Sequence, residues 1–213
     1  MSMYAVVDLE MCRVNSENMP GGCHLRQEII QFGAVILDEK FNVREKYMSF
    51  VSPAFGAVDN FIEKLTGIRQ SDLTGAPDLE TVLRDFTSRL PEETAFVAWS
   101  DSDEIQLRNE TFIKGIENEA LEKLLSDCID CQAVFGEKME SSRNYNLTEA
   151  LSIAGIEYQN GAHDALVDAY NTALLFKKLR TEKKFRPSSW FHKEEEVLCF
   201  TSNPFAELLK NYA

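Results

Sequence analysis

The chain has 213 residues, 44% of them hydrophobic and 27% charged. That is long and apolar enough to bury a sizeable core as one domain, or one domain with an extension, and it excludes disorder as the main state. Its 22 Lys and Arg against 35 Asp and Glu leave a formal charge of −13, which excludes a protein that holds nucleic acid by neutralising many phosphates over a broad surface.

Tyr4 to Leu9 is short, apolar and β-branched, and is expected to be a buried strand. Asn15 to Gly22 carries the punctuation of a loop. Glu28 to Leu37 and Val43 to Ser52 are predicted as an antiparallel pair joined by a turn over 38–42. From Pro53 the period changes, and Phe61, Leu65 and Ile68 fall on helical or turn-like spacing. Asp78 is the expected N-cap of a helix with Leu79, Val82, Leu83, Phe86 and Leu90 on one face, stopped by Pro91. Thr94 to Ala98 reads as a strand and Asp103 to Gly115 as a helix. Between Leu121 and Phe135 a helix is expected first, then a short strand over Ile129 to Val134. Asn146 to Ala154 is a short helix closed by Gly155, and Asp164 to Leu179 a long amphipathic one. The order predicts an α/β fold, a mixed sheet with helices on its faces.

No apolar run approaches the roughly 18 residues of a membrane span, and Met1-Ser2-Met3-Tyr4 has no basic segment leading into an apolar stretch. Neither a membrane partner nor a secretory signal is expected. Five cysteines, an odd number, fit reduced thiols and a cytoplasmic location better than a disulfide framework. Cys128-Ile-Asp-Cys131 has zinc-ligand spacing, but no second pair matches it, so ordinary thiols are the expected reading.

Asp8-Leu9-Glu10 puts two carboxylates on one face at the end of the first strand. Such neighbours repel unless solvated, protonated or bound to a cation, and a hard divalent ion is the natural partner. Ala95-Phe-Val-Ala-Trp-Ser-Asp-Ser-Asp103 is a second apolar strand running into acids, although Asp103 also suits the start of a helix. Gly161-Ala-His163-Asp-Ala-Leu-Val-Asp168 sets one of only three histidines near a carboxylate in the early turns of a helix. Together these are the parts of a metal-dependent phosphodiester cleaver. No phosphate-binding Gly-x-x-x-x-Gly-Lys loop and no Gly-x-Ser-x-Gly elbow competes with that reading.

With those residues in order, the chain resembles the DEDD superfamily of 3′→5′ exonucleases, in the histidine subtype (DEDDh), over roughly residues 3 to 180. Asp8-Leu-Glu10, Asp103 with Leu107, and His163-x-x-x-x-Asp168 look like its three motifs. Glu28-Ile-Ile-Gln-Phe-Gly-Ala-Val, Leu65-Thr-Gly-Ile68 and Asn146-Leu-Thr-Glu-Ala-Leu agree. Asp8-Leu-Glu-Met-Cys12 and Trp99-Ser-Asp-Ser-Asp103 look most like the Eri-type branch, which acts on RNA 3′ ends. Trp99 and Ser102 depart from the usual second motif, and Asp101 is a spare acid there.

The resemblance implies a ribonuclease-H-like mixed five-stranded sheet flanked by helices over 1–180, with 181–213 as an extension docked on the domain or on a partner subunit. It implies two Mg²⁺ or Mn²⁺ per site held by Asp8, Glu10, Asp103 and Asp168, with His163 taking a proton from the attacking water. Single-stranded RNA or DNA 3′ ends would be the partner, and nucleoside 5′-monophosphates the product. Met11 and Leu65 would wedge against the terminal nucleotide, or simply pack in the core. The basic run from Lys177 to Arg186 would guide the strand, or be a solvated helix end. A non-catalytic binding module on the same fold and a hydrolase of short oligonucleotides are the rival readings.

Overall fold

The computed structural model describes residues 3–15, 19, 24–159, 163–189 and 191. Most of the loop expected over 15–22, together with Cys23, Trp190, Phe200, Phe205 and Leu208, lies outside the described residues.

Strands β1 (Met3–Val14), β2 (Gln27–Leu37) and β3 (Val43–Phe50) form an antiparallel meander. The turn between β2 and β3 closes on Asp38, whose carboxylate accepts the N–H groups of Lys40 (2.9 Å) and Asn42 (2.8 Å). On its other edge β1 runs parallel to β5 (Thr94–Ala98), which runs parallel to β6 (Cys128–Asp130). The order is β3-β2-β1-β5-β6, the expected mixed five-stranded sheet, and a two-residue strand β4 (Gly56–Ala57) adds to the far end of β1.

Seven helices flank it among the described residues: α1 (Asn60–Thr66), α2 (Leu79–Ser88), α3 (Ser102–Lys114), α4 (Glu119–Leu125), α5 (Cys131–Met139), α6 (Leu147–Ala154) and α7 (Ala165–Thr181). Six begin with an Asp or Asn side chain accepting backbone N–H groups: Asp59, Asp78, Asn118, Asp130, Asn146 and Asp164. The strand expected over Ile129 to Val134 is cut short. Asp130 accepts the N–H of Ala133 at 2.9 Å, and this cap turns Cys131 onward into α5.

The sheet is covered on both faces, so β1 is apolar on both. Val6 joins Trp99, Phe135, Leu151, Ala169 and Phe176 in the core under α5, α6 and α7. Ala5, Val7 and Leu9 join Phe32, Val82, Phe86 and Leu107 under α2, α3 and α4. Beyond α7 the chain stays against the first core: Phe185 is buried with its ring 5.7 Å from that of Phe135, and the Ser188 N–H donates to the Ile153 carbonyl at 2.7 Å. Among the described residues, no helix is long and apolar enough to cross a membrane.

Candidate active site

The pairing of β1 with β5 stops at Val6 opposite Val97, so Asp8 and Glu10 run on past the end of β5. They therefore lie at the carboxyl end of the parallel strands, where open α/β sheets hold their ligands. The two-residue period puts them on the side of Val6, facing α7. Just beyond Glu10 the register slips: Glu10 faces Gln31 and Met11 faces Ile29, leaving Ile30 as the extra residue. Bulges of this kind re-aim side chains.

The start of α7 is pressed onto the sheet at this point. Asp8 is opposite Gly33, and a Cβ on Gly33 would fall 2.2 Å from the backbone of Ala165. Gln31, buried in β2, takes the Ala165 N–H on its Oε1 at 2.9 Å and offers its Nε2 to Asp164 at 3.4 Å. Asp164 caps the helix through the N–H groups of Leu166 and Val167. The close approach carries Asp168, in the first turn of α7, to the strand acids. His163 precedes the cap with φ 63°, a left-handed conformation uncommon outside glycine. Its N–H donates to Asp168 Oδ2 at 3.0 Å, and the Tyr158 hydroxyl donates to Asp168 Oδ1. Potential ligand atoms of Glu10, His163 and Asp168 all fall within 4.8 Å of one another.

Asp103 comes from the other side, in the first turn of α3, and is buried beside the backbone of Leu9. Asp101, just before α3, is exposed and makes no side-chain cap bond. The placement of α3 is fixed two turns further on. Glu110, fully buried, accepts the N–H of Ile29 at 2.9 Å, beside the bulge. Lys114 bridges Glu110 (2.8 Å) to Glu28 (2.7 Å), and Glu28 accepts the N–H groups of Ala54, Phe55 and Gly56 at 2.8, 2.7 and 2.5 Å. Burial alone would push Glu28 up, but Lys114 and these N–H groups outweigh it and hold its carboxyl below the usual range.

The acids at the cleft behave in the opposite way. Burial, then the charges of Asp103, Asp168, Glu10 and Asp164, drive Asp8 well above the usual carboxylate range. Burial, then Asp168, Asp103 and Asp164, push Glu10 up to about 8. Burial raises Asp103 to about 7, against the N–H groups of Leu9 and Asp103 itself. Such a set is stable when ionised only if positive charge enters among it.

The cleft has a volume of about 890 Å³ and is lined by Asp8, Glu10, Met11, Trp99, Tyr158, His163 and Asp168. The start of α6, with Asn146, Thr148, Glu149 and Ser152, also lines it. Met11 thus reaches the cleft. Leu65 sits on α1, 38% exposed, and is not part of this lining. Cys131 is buried and Cys128 half-buried, and burial raises both thiols, Cys128 to about 11. In the basic run, Lys177 bonds Asn42, Lys178 bonds the Ala154 carbonyl and Arg180 lies over Phe176. At 1.5 Å per residue, Arg180 is roughly 18 Å along α7 from Asp168.

Sequence reasoning overlooked Tyr158, Gln31 and the Glu28–Lys114–Glu110 cluster. Glu28 and Gln31 had a visible signal, polar residues within an apolar run. Tyr158 had none, since its partner lies ten residues away on α7.

A family model for exonucleases of the RNase T type matches residues 5–176. Among curated proteins, the chain is 31% identical over 205 residues to ERI1 exoribonuclease 2 of Danio rerio, covering 85% of this chain and 35% of that one. It is 29% identical over 177 residues to the 3′-5′ exonuclease Snipper of Drosophila melanogaster, covering 71% and 60%. The chain therefore spans between about a third and three fifths of these two relatives. Among solved structures, the nuclease domain of 3′hExo, a DEDDh family member bound to rAMP, superposes with a TM-score of 0.68 at 20% identity, covering 87% and 96% of the two chains. A 3′-exonuclease recognising a histone mRNA stem-loop gives 0.70 at 18% identity, covering 86% and 83%.

Proposed function

The chain belongs to the RNase T-type exonuclease family, and from that membership we propose that it hydrolyses phosphodiester bonds from the 3′ end of single-stranded RNA or DNA, releasing nucleoside 5′-monophosphates. The observation that carries this reading is the meeting of Asp8, Glu10, Asp168 and His163 in one cleft, with Asp103 buried close enough for its charge to act on Asp8 and Glu10. On this proposal residues 1–180 form the nuclease unit and 181–213 an extension docked on the domain or on a partner subunit.

The family depends on divalent metal. The donors fit a pair of hard cations such as Mg²⁺ or Mn²⁺: they are crowded carboxylates, and burial followed by the neighbouring acids raises Asp8 and Glu10 while burial raises Asp103. Asp8, Glu10, Asp103 and Asp168 would hold them. Bound there, the ions would supply charge stabilisation at the scissile phosphate and the leaving oxygen. The remaining work falls to the chain itself. Asp168 keeps the His163 backbone in place through the N–H bond at 3.0 Å, and the imidazole, exposed at the cleft, takes the proton of the attacking water on a ring nitrogen. Met11 and Trp99 offer the apolar part of the wall to a base, and Leu65 stands on the helix beyond. The names of the relatives make RNA the first substrate to try.

The test uses matched RNA and DNA oligomers, single- and double-stranded, with free or phosphate-blocked 3′ ends, in Mn²⁺. Mononucleotides released from free single-stranded 3′ ends, lost in Asp8→Ala and in excess EDTA, support the proposal. Internal cuts, activity that survives EDTA, or binding without cleavage overturn it, the last in favour of a binding module. Turnover confined to dinucleotides would point to a hydrolase of short oligonucleotides.

A further inference from the structure

A carboxylate on a helix can turn about its last torsion, which has only a broad, two-fold preference. Its plane is set by what it touches. Asp168 receives one donor on each oxygen: the Tyr158 hydroxyl on Oδ1 and the His163 N–H on Oδ2. Each carboxylate oxygen offers two lone pairs, so one remains on both for a cation.

Tyr158 is itself held firmly. Its ring packs against the core under α6 and α7. Its neighbour Gln159 exchanges two hydrogen bonds with Asn171, which is fully buried one turn beyond Asp168: the Gln159 N–H donates to Asn171 Oδ1 at 3.0 Å, and Asn171 Nδ2 donates to the Gln159 carbonyl at 3.3 Å. The phenol and the carboxylate it meets are therefore both referenced to α7. Packing alone would be served equally by phenylalanine; only the hydroxyl reaches Asp168.

We infer that Tyr158 is a positioning residue that orients the Asp168 carboxylate for cation binding, an inference that rests on the metal-dependent reading above. Partners that orient a metal-binding group in this way are typically worth 10- to 100-fold in metal affinity.

Mn²⁺ binding to the full chain, followed by the electron paramagnetic resonance of the free ion, provides the test. Three proteins are compared: wild type, Tyr158→Phe, and a variant with 4-aminophenylalanine introduced at 158, which keeps an N–H donor in place of the hydroxyl. Tyr158→Phe is expected to bind Mn²⁺ about 10- to 100-fold more weakly, with a metal-free unfolding midpoint close to wild type. Its half-saturating Mn²⁺ for mononucleotide release rises by the same factor, while the rate at saturating Mn²⁺ is kept. The 4-aminophenylalanine protein recovers the affinity. Wild-type affinity in Tyr158→Phe overturns the assignment, as does weak binding when the donor is retained. A wild-type chain that binds no Mn²⁺ and releases no mononucleotide overturns the metal-dependent reading and this inference with it.

Discussion

Gly33 on β2 lies directly across from Asp8 on β1, and the space above Gly33 is filled by the backbone of Ala165 at the start of α7. The distance between the strand acids and the helix acid is set by a missing side chain. A Cβ there would fall 2.2 Å from the Ala165 carbonyl carbon, and that neighbour is backbone, which cannot swing aside. Gly33→Ala is expected to push the start of α7 off the sheet, costing about 1–3 kcal/mol or more of stability. Asp168 moves away with it. Thermal unfolding and Mn²⁺ titration check both parts, and a variant with wild-type metal affinity contradicts the account.

With no cation bound, the buried acids work against the fold. Glu10 titrates near 8 and Asp103 near 7 in the folded chain, against ordinary values of 4.5 and 3.8. The folded state thus keeps protons that the unfolded chain has already released. Metal-free stability is therefore greatest at low pH and falls as pH rises from about 5 to 8. Asp8→Asn is expected to abolish nuclease activity and yet raise the unfolding midpoint in EDTA, more at pH 8 than at pH 6. The rise is several degrees, since about 1 kcal/mol shifts a domain of this size by roughly 2–4 °C. A midpoint that climbs with pH in EDTA reverses the sign and refutes this.

His163→Ala is expected to lower the rate by roughly 10²–10⁴, the share typical of general acid–base catalysis, while Mn²⁺ affinity stays near wild type. The imidazole also lies within 4.8 Å of ligand atoms on Glu10 and Asp168. If affinity falls in step with rate, the histidine is a ligand and not a base. Calorimetric titration beside single-turnover kinetics separates the two.

Lys114 sits between two fully buried carboxylates, Glu28 and Glu110. Lys114→Met leaves both without their cation, and breaking a buried pair in this way costs about 3–5 kcal/mol. Denaturant unfolding measures it. Because Glu110 also pins α3, which carries Asp103, the surviving folded protein should show a higher KM for Mn²⁺. A loss below about 1 kcal/mol would mean that water reaches the cluster.

The parts of the fold that rest on local chemistry were readable in the residues. The Asn146 cap and Gly155 stop enclose α6 as expected, and Asp164 caps α7. Thr94–Ala98 is the predicted strand residue for residue. The start of α5 reads as strand because Ile129-Asp-Cys-Gln-Ala133 alternates apolar and polar residues, the pattern of a half-buried strand. A single side chain, Asp130 on the Ala133 N–H, decides between the two. In the cleft, the strand acids were visible as a pair two residues apart. The bond from Tyr158 to Asp168 was not, because it is made by tertiary placement and follows no period.

The bulge at Ile30 and the crossing of α7 over Gly33 draw the acids from positions 8, 10, 103 and 168. A polypeptide cut short anywhere before its last acid never gathers them, whatever strands it has already formed. On the proposed function, synthesis interrupted anywhere upstream of Asp168 would therefore leave fragments with no cutting power.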